Sequence, residues 1–192
     1  MKKRFTIIIA SLLVLFSECS MLGSKSQVAA GKVTINYTLS RISGMGSNQY
    51  AIWIEDETGS YVRTLFVTDY MAQRQGWKVR QQSLINWVRE ANLNDMPQQD
   101  IDAMSSATPQ AGTQTVGGDL TDAAGKTVKA GVYMYRIEAC LLMENNVLWS
   151  GDIHVGGARQ TSQPKVSYYP KTAKNLGKTL ISDISIIYEP SP

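Results

Sequence analysis

The chain has 192 residues, 43% of them hydrophobic and 18% charged, which fits one domain with a full apolar core plus appendages. Its formal net charge of +3 belongs to the N-terminus, because four of the 19 basic residues but only one of the 16 acidic ones precede residue 31. The remainder is neutral and carries no clustered basic face, which excludes the electrostatic footprint of a nucleic-acid binder.

The first thirty residues read as an export leader. Lys2, Lys3 and Arg4 stand before the apolar run Phe5 to Phe16, too short for a membrane-spanning helix and suited to a secretory signal. Two processing sites are open. Cys19 is a candidate lipid-attachment cysteine, although Phe16-Ser17-Glu18 lacks a small residue immediately ahead of it. Val28-Ala29-Ala30 offers a small-residue cleavage site further from the apolar run. Either way, residues 1–30 are leader and linker, and residues 31–192 form a single domain. With Cys19 cleaved or lipidated, Cys140 is left as a small, half-buried apolar residue of a strand rather than a reactive thiol.

Lys32 to Leu39 alternates strictly, placing Val33, Ile35, Tyr37 and Leu39 on one face. After a Gly/Ser turn region, Tyr50 to Asp56 and Tyr61 to Val67 form a hairpin around Glu57-Thr58-Gly59. Its first strand is apolar on both faces, with Tyr50, Ile52 and Ile54 against Ala51 and Trp53. This predicts a central strand covered on both sides. The cover comes next: from about Val79 to Asn92, Leu84, Trp87, Val88 and Ala91 make one helical stripe. A single helix among strands buries such a stripe only by lying on a sheet, so this one is placed near Trp53.

Asn94 to Gly112 reads as a polar, irregular connection containing Pro97 and Pro109. Val116 to Met143 then gives a strand, an Asp/Gly loop and the longest strand of the chain, where Tyr133, Tyr135, Ile137, Ala139 and Leu141 share a face. Val147 to Val155 returns as a strand, Gly156 to Lys178 reads as a long loop, and Thr179 to Glu189 closes the chain with Leu180, Ile184, Ile186 and Tyr188 inward. Seven or eight alternating strands and one helix, with no helical crossovers, predict an all-β, antiparallel, immunoglobulin-like β-sandwich with one inserted α-helix packed on a sheet.

Four constellations carry potential chemistry. His154, the single histidine, shares an outward strand face with Ser150 and Asp152, and a solvated polar face accounts for all three. Asp119 and Asp122 have the wrong spacing for an EF-hand loop and read as side chains bonding their own turn backbone. Glu55-Asp56-Glu57 reads as a solvated hairpin tip with Arg63 pairing across the hairpin. The fourth is Asp102-Ala-Met-Ser-Ser-Ala-Thr108. It resembles the D-x-x-S/T-G-A-T motif in which a flavin transferase links FMN through phosphate to the threonine hydroxyl. Ser106 stands where that motif has glycine, and Pro109 follows where Ser or Thr is usual.

Three segments together resemble the domain-of-unknown-function family 2271, a group of predicted periplasmic bacterial proteins. They are Tyr50 to Leu65 with its W-I-E-D-x-x-G-x-x-V-R-T-L hairpin, Asp102 to Gly112, and Asp119 to Tyr133. The third is also similar to the immunoglobulin-like domain of flagellar hook-capping proteins, with Gly117-Gly118-Asp119 in place of the W-D-G start. The family resemblance implies an accessory component of an envelope system with no established catalytic residues, in some cases near PepSY-type membrane proteins and flavin-carrying electron-transfer machinery. The expectation is therefore an exported, non-enzymatic protein without a cofactor that binds or scaffolds another envelope protein. The alternative is an electron-transfer accessory carrying covalent FMN on Thr108.

Overall fold

The computed structural model describes residues 31–44, 47–73 and 75–191; residues 1–30, on which the expected leader and Cys19 fall, lie outside the described residues. Among the described residues, ten strands make two sheets. The first runs β5 (Gly112–Asp119), β1 (Gly31–Leu39), β10 (Ile181–Pro190), β8 (Gln160–Ser162). The second runs β4 (Ser105–Ser106), β3 (Tyr61–Thr68), β2 (Tyr50–Asp56), β6 (Gly131–Leu142), β7 (Asn145–Val155), β9 (Lys165–Tyr169). The long strands expected from alternation are all present. The added ones, β4, β8 and β9, are short and fall in the stretches read as connections. None carries more than two apolar residues on one face, and each gains its hydrogen bonds from another segment of the chain. Every pairing is antiparallel except that of β4, which joins β3 in parallel through Val67–Ser105 and Thr68–Ser106.

Period-two alternation makes the core between the sheets. Val33, Ile35, Tyr37 and Leu39 of β1 meet Tyr50, Ile52 and Ile54 of β2 and Tyr133, Tyr135, Ile137, Ala139 and Leu141 of β6. The Tyr37 and Tyr50 hydroxyls, both buried here, satisfy each other at 2.9 Å, and the Tyr50 ring stacks on Phe66 with centroids 4.7 Å apart. The entry to β10 departs from simple alternation, since Leu180 just before the strand and Ile181, its first residue, are both buried. The register between β1 and β10 shifts between Asn36 and Thr38, and Asp183 takes up the extra residue with φ 51.

The other face of the second sheet carries a second core. Ala51 and Trp53 of β2, Val67 of β3 and Leu148 of β7 pack against Met71, Ala72, Trp77, Leu84, Trp87, Ala91, Leu93 and Ile101. β2 is thus covered on both sides, as its two apolar faces predicted. The cover differs from the expected single helix. It consists of α1 (Asp69–Ala72), α2 (Gly76–Val79), a 3-10 turn (Gln81–Leu84), α3 (Ile85–Glu90) and α4 (Gln98–Met104). The predicted run breaks at Arg80 and Leu84, whose backbones leave the helical region at φ −138 and −147. Two contacts from the sheet fix these breaks. The Asn146 side-chain amide donates to the Gln82 carbonyl at 2.7 Å, and a carboxylate of β6 holds the start of α3, as described below. Helices this short are marginal alone and stand because one face is buried. The stripe still lands where expected, with Leu84, Trp87 and Ala91 in one cluster with Trp53.

Candidate functional site

The outward face of β6 alternates with the core face, so Arg136 and Glu138 project into the space shared by the sheet and the helical layer. Glu138 is 0% exposed. Its Oε1 accepts from the Asn86 backbone N–H at 3.2 Å and the Asn86 amide at 2.9 Å, and its Oε2 accepts from the Trp87 N–H at 2.9 Å. Those backbone donors belong to the first turn of α3, which otherwise has no side-chain cap. A residue of the sheet therefore caps a helix some fifty residues earlier in the chain. Burial pushes the Glu138 carboxyl up to about 7, against the hydrogen bonds from Trp87 and Asn86, which favour the charged form.

Charges at the hairpin are partnered differently from the expected cross-hairpin pairing. Glu55 is buried and accepts from Trp53 Nε1 and from Arg136 Nε, both at 2.8 Å. Asp56 folds the tip by accepting from the Thr58 and Ser60 N–H groups at 2.9 and 3.0 Å, and its hydrogen bonds, led by that from the Thr58 hydroxyl, hold its carboxyl below the usual range. Arg63 reaches the other way, to Asp119 at 2.8 Å and to the Thr121 hydroxyl. Of the two loop aspartates, Asp122 bonds its own turn, accepting from the Ala124 and Lys126 N–H groups at 3.0 and 2.9 Å. Asp119 serves Arg63 instead.

The Asp102–Thr108 segment is more ordered than a polar connection. Its first three residues close α4, and Ser105 and Ser106 form β4 against β3. The Gln73 side chain donates to the Ser105 hydroxyl at 2.8 Å, which donates in turn to the Asp102 carbonyl at 2.9 Å. Ser106 has extended backbone, where a side chain costs nothing, so the missing glycine is accommodated in the fold. Thr108 follows in irregular chain, half-buried.

Beside this segment a cavity of about 200 Å³ opens on the edge of β3, lined by Tyr61, Arg63, Thr64, Leu65, Met96, Asp100, Ala103, Met104 and Ala123. Tyr61, Met96 and Met104 lean on the outer core and Leu65 on the inner one. The site thus lies where the two cores meet at the sheet's rim. Thr64 forms its back wall, accepting from Trp87 Nε1 at 2.9 Å while Tyr61 Oη lies 2.9 Å from the same hydroxyl. The Asp102–Thr108 segment contributes Ala103 and Met104 to the lining; Thr108 is not part of it.

Elsewhere the candidates stay apart. His154 and Asp152 are exposed and Ser150 half-buried along β7, on the far side of β2 and β6 from the cavity. Among the described residues no three His, Cys, Asp or Glu side chains are grouped to hold a metal ion. Cys140 is fully buried, where desolvation raises its thiol, and its Sγ donates to the Met143 carbonyl at 2.8 Å. Sequence reading missed Glu138, Arg136 and Met96. A signal for the first two was present: charged residues at outward positions of a strand whose neighbour is apolar on both faces require buried partners.

A β-sandwich with one sheet doubly covered, and a rim cavity lined by both apolar and polar side chains, defines a class of all-β domain. The chain belongs to the family described as predicted periplasmic protein, DUF2271, which matches residues 31–168, and its place is accordingly the periplasm. The matched span stops short of β10, although β10 pairs along most of β1 and completes the first sheet. No curated protein and no solved structure matches the chain.

Proposed function

We propose that this periplasmic protein is a non-enzymatic binding or scaffolding component that engages another envelope protein through the cavity at the β3 edge. The observation that carries this reading is the bonding state of the cavity's polar groups. Arg63 is held through Nη1 by Asp119 and Thr121, Thr64 is held by Trp87 and Tyr61, and Asp100 is the one carboxylate of the lining, a set without a nucleophile beside a base that suits the walls to receive a shape. A photoreactive residue at Ala103 or Ala123, both exposed on the cavity rim, is expected to trap a discrete partner in the envelope. The same residue at exposed Thr161 on β8 should trap none. Equal trapping at all three sites, or none at any, refutes the reading.

The second reading, covalent FMN on Thr108, is favoured by one observation: Ala103 and Met104 of the motif-like segment line the cavity. Against it stand the pairing of Ser105 and Ser106 into β4 and the hydrogen bonds that tie Ser105 to Gln73 and Asp102. They withdraw the middle of the segment from a transferase that must grip it. Co-expression with a flavin transferase is expected to give a colourless exported protein lacking the mass of an FMN group. A yellow protein that loses its flavin on Thr108→Ala would put this reading first.

A further inference from the structure

We infer that the rim cavity is an anchor pocket for one aromatic side chain, a Phe or Tyr ring, presented by the envelope partner; this rests on the binding reading above and names what the site takes. Size decides first. At about 200 Å³, the cavity is somewhat larger than the roughly 150 Å³ apolar cavity that accepts benzene. It falls below the roughly 300–1,000 Å³ of sites that enclose cofactor-sized ligands. It admits one six-membered ring and excludes a fused three-ring system.

The lining decides next. Two thioethers, Met96 and Met104, stand with the Tyr61 ring, Leu65 and two alanines, a soft and adaptable wall that favours sulfur–aromatic contact, while Arg63, Thr64 and Asp100 make the polar part of the lining. Arg63 lies at the wall with its Nε buried and without a hydrogen-bond partner, while its Nη1 is occupied by Asp119 and Thr121. A guanidinium pinned through Nη1 keeps its planar face for a ring. The strand edge also argues for a side chain rather than an added strand. Along Tyr61–Leu65 the edge of β3 away from β2 is capped, the Val62 carbonyl by the Ala123 N–H at 3.1 Å and the Thr64 N–H by Tyr61 Oη at 2.7 Å. What remains open is the pocket between those caps and α4, a concavity from which a docked aromatic side chain would displace water.

The test uses the exported protein with carbon-13-labelled methionine methyls, titrated with N-acetyl-tyrosinamide and, separately, N-acetyl-leucinamide. The tyrosine probe is expected to move the Met96 and Met104 methyls by ring current, saturably, while the exposed Met143 methyl stays still. The leucine probe should bind about tenfold more weakly. Ala103→Phe, which places a ring from the exposed face of α4 over the pocket, should abolish the response without altering the melting temperature. Silent Met96 and Met104 methyls, or equal responses to both probes, overturn the anchor; if photocrosslinking at Ala103 still succeeds, the partner reading survives that loss. A shift that grows with protein concentration alone and vanishes in Tyr169→Ser, which removes an exposed ring of this chain at the end of β9, would make the occupant a second copy, and would equally overturn the proposal.

Discussion

Replacing Trp87 with alanine is expected to remove about 3–5 kcal/mol of stability. In a domain of this size that is a fall in melting temperature of roughly 10 °C or more. Three links meet at this residue. Its ring is 0% exposed and joins Trp53, Leu84 and Trp77 in the outer core. Its indole N–H donates to Thr64, and its backbone N–H to Glu138. Alanine keeps only the last of these. Trp87→Phe separates the terms, since it retains most of the ring and loses the Thr64 bond, for about 1 kcal/mol from the hydrogen bond. Calorimetry of both variants decides the matter. An unchanged melting temperature in Trp87→Ala would mean that the helical layer contributes nothing to the sandwich beneath it, and the two-core architecture would fail with it.

Stability should also fall as pH rises through the neutral range, and Glu138 should be the cause. Its carboxyl sits near 7 in the fold against an ordinary value of 4.5. Below the lower value it is protonated in both folded and unfolded chains. Between the two, the unfolded chain releases its proton first, so the folded state holds more protons and loses stability with each step upward in pH. Above about 7 the loss is complete, at roughly 3 kcal/mol relative to acid conditions. The measurement is the denaturant midpoint of the native protein minus that of Glu138→Gln at a series of pH values from about 4 to 8. The difference should slope through this window, because the amide cannot titrate. Glu138→Ala is the harsher change. It strands the first-turn N–H groups of α3 in a buried site, at about 1–3 kcal/mol for each donor left unpaired. A difference curve without slope would show that the buried carboxylate does not titrate in this range and that its hydrogen bonds outweigh its desolvation.

Both results turn on contacts between segments far apart in the chain, and here the sequence and the tertiary structure divide their shares. Strand periodicity is local, because successive side chains of an extended chain alternate faces whatever lies beyond them. Val33 to Leu39, Tyr50 to Ile54 and Tyr133 to Leu141 therefore announced the inner core, and the double apolar pattern of β2 announced a second layer over Trp53. The turn role of Asp122 was equally legible, since an Asp side chain bonds N–H groups two and four residues ahead. The periplasmic placement agrees with the export expected from the N-terminal sequence.

Pairing was not legible. Arg63 had acidic neighbours in its own hairpin, yet it meets Asp119, 56 residues away, because the Asp119 end of β5 reaches the rim of β3 and Glu55 is already taken by Arg136. The helix over residues 79–92 has the right stripe and the wrong continuity. Nothing in its own sequence reveals that Glu138, 51 residues beyond Trp87, holds the start of α3. The rim cavity has the same origin, since Met96, Met104, Tyr61 and Ala123 come from four separate segments. Side-chain alternation along a strand is set by backbone geometry within a few residues. The partner of a charge, the cap of a helix and the walls of a pocket are set by which strands become neighbours, and that is decided only when the two sheets and their helical cover close on one another.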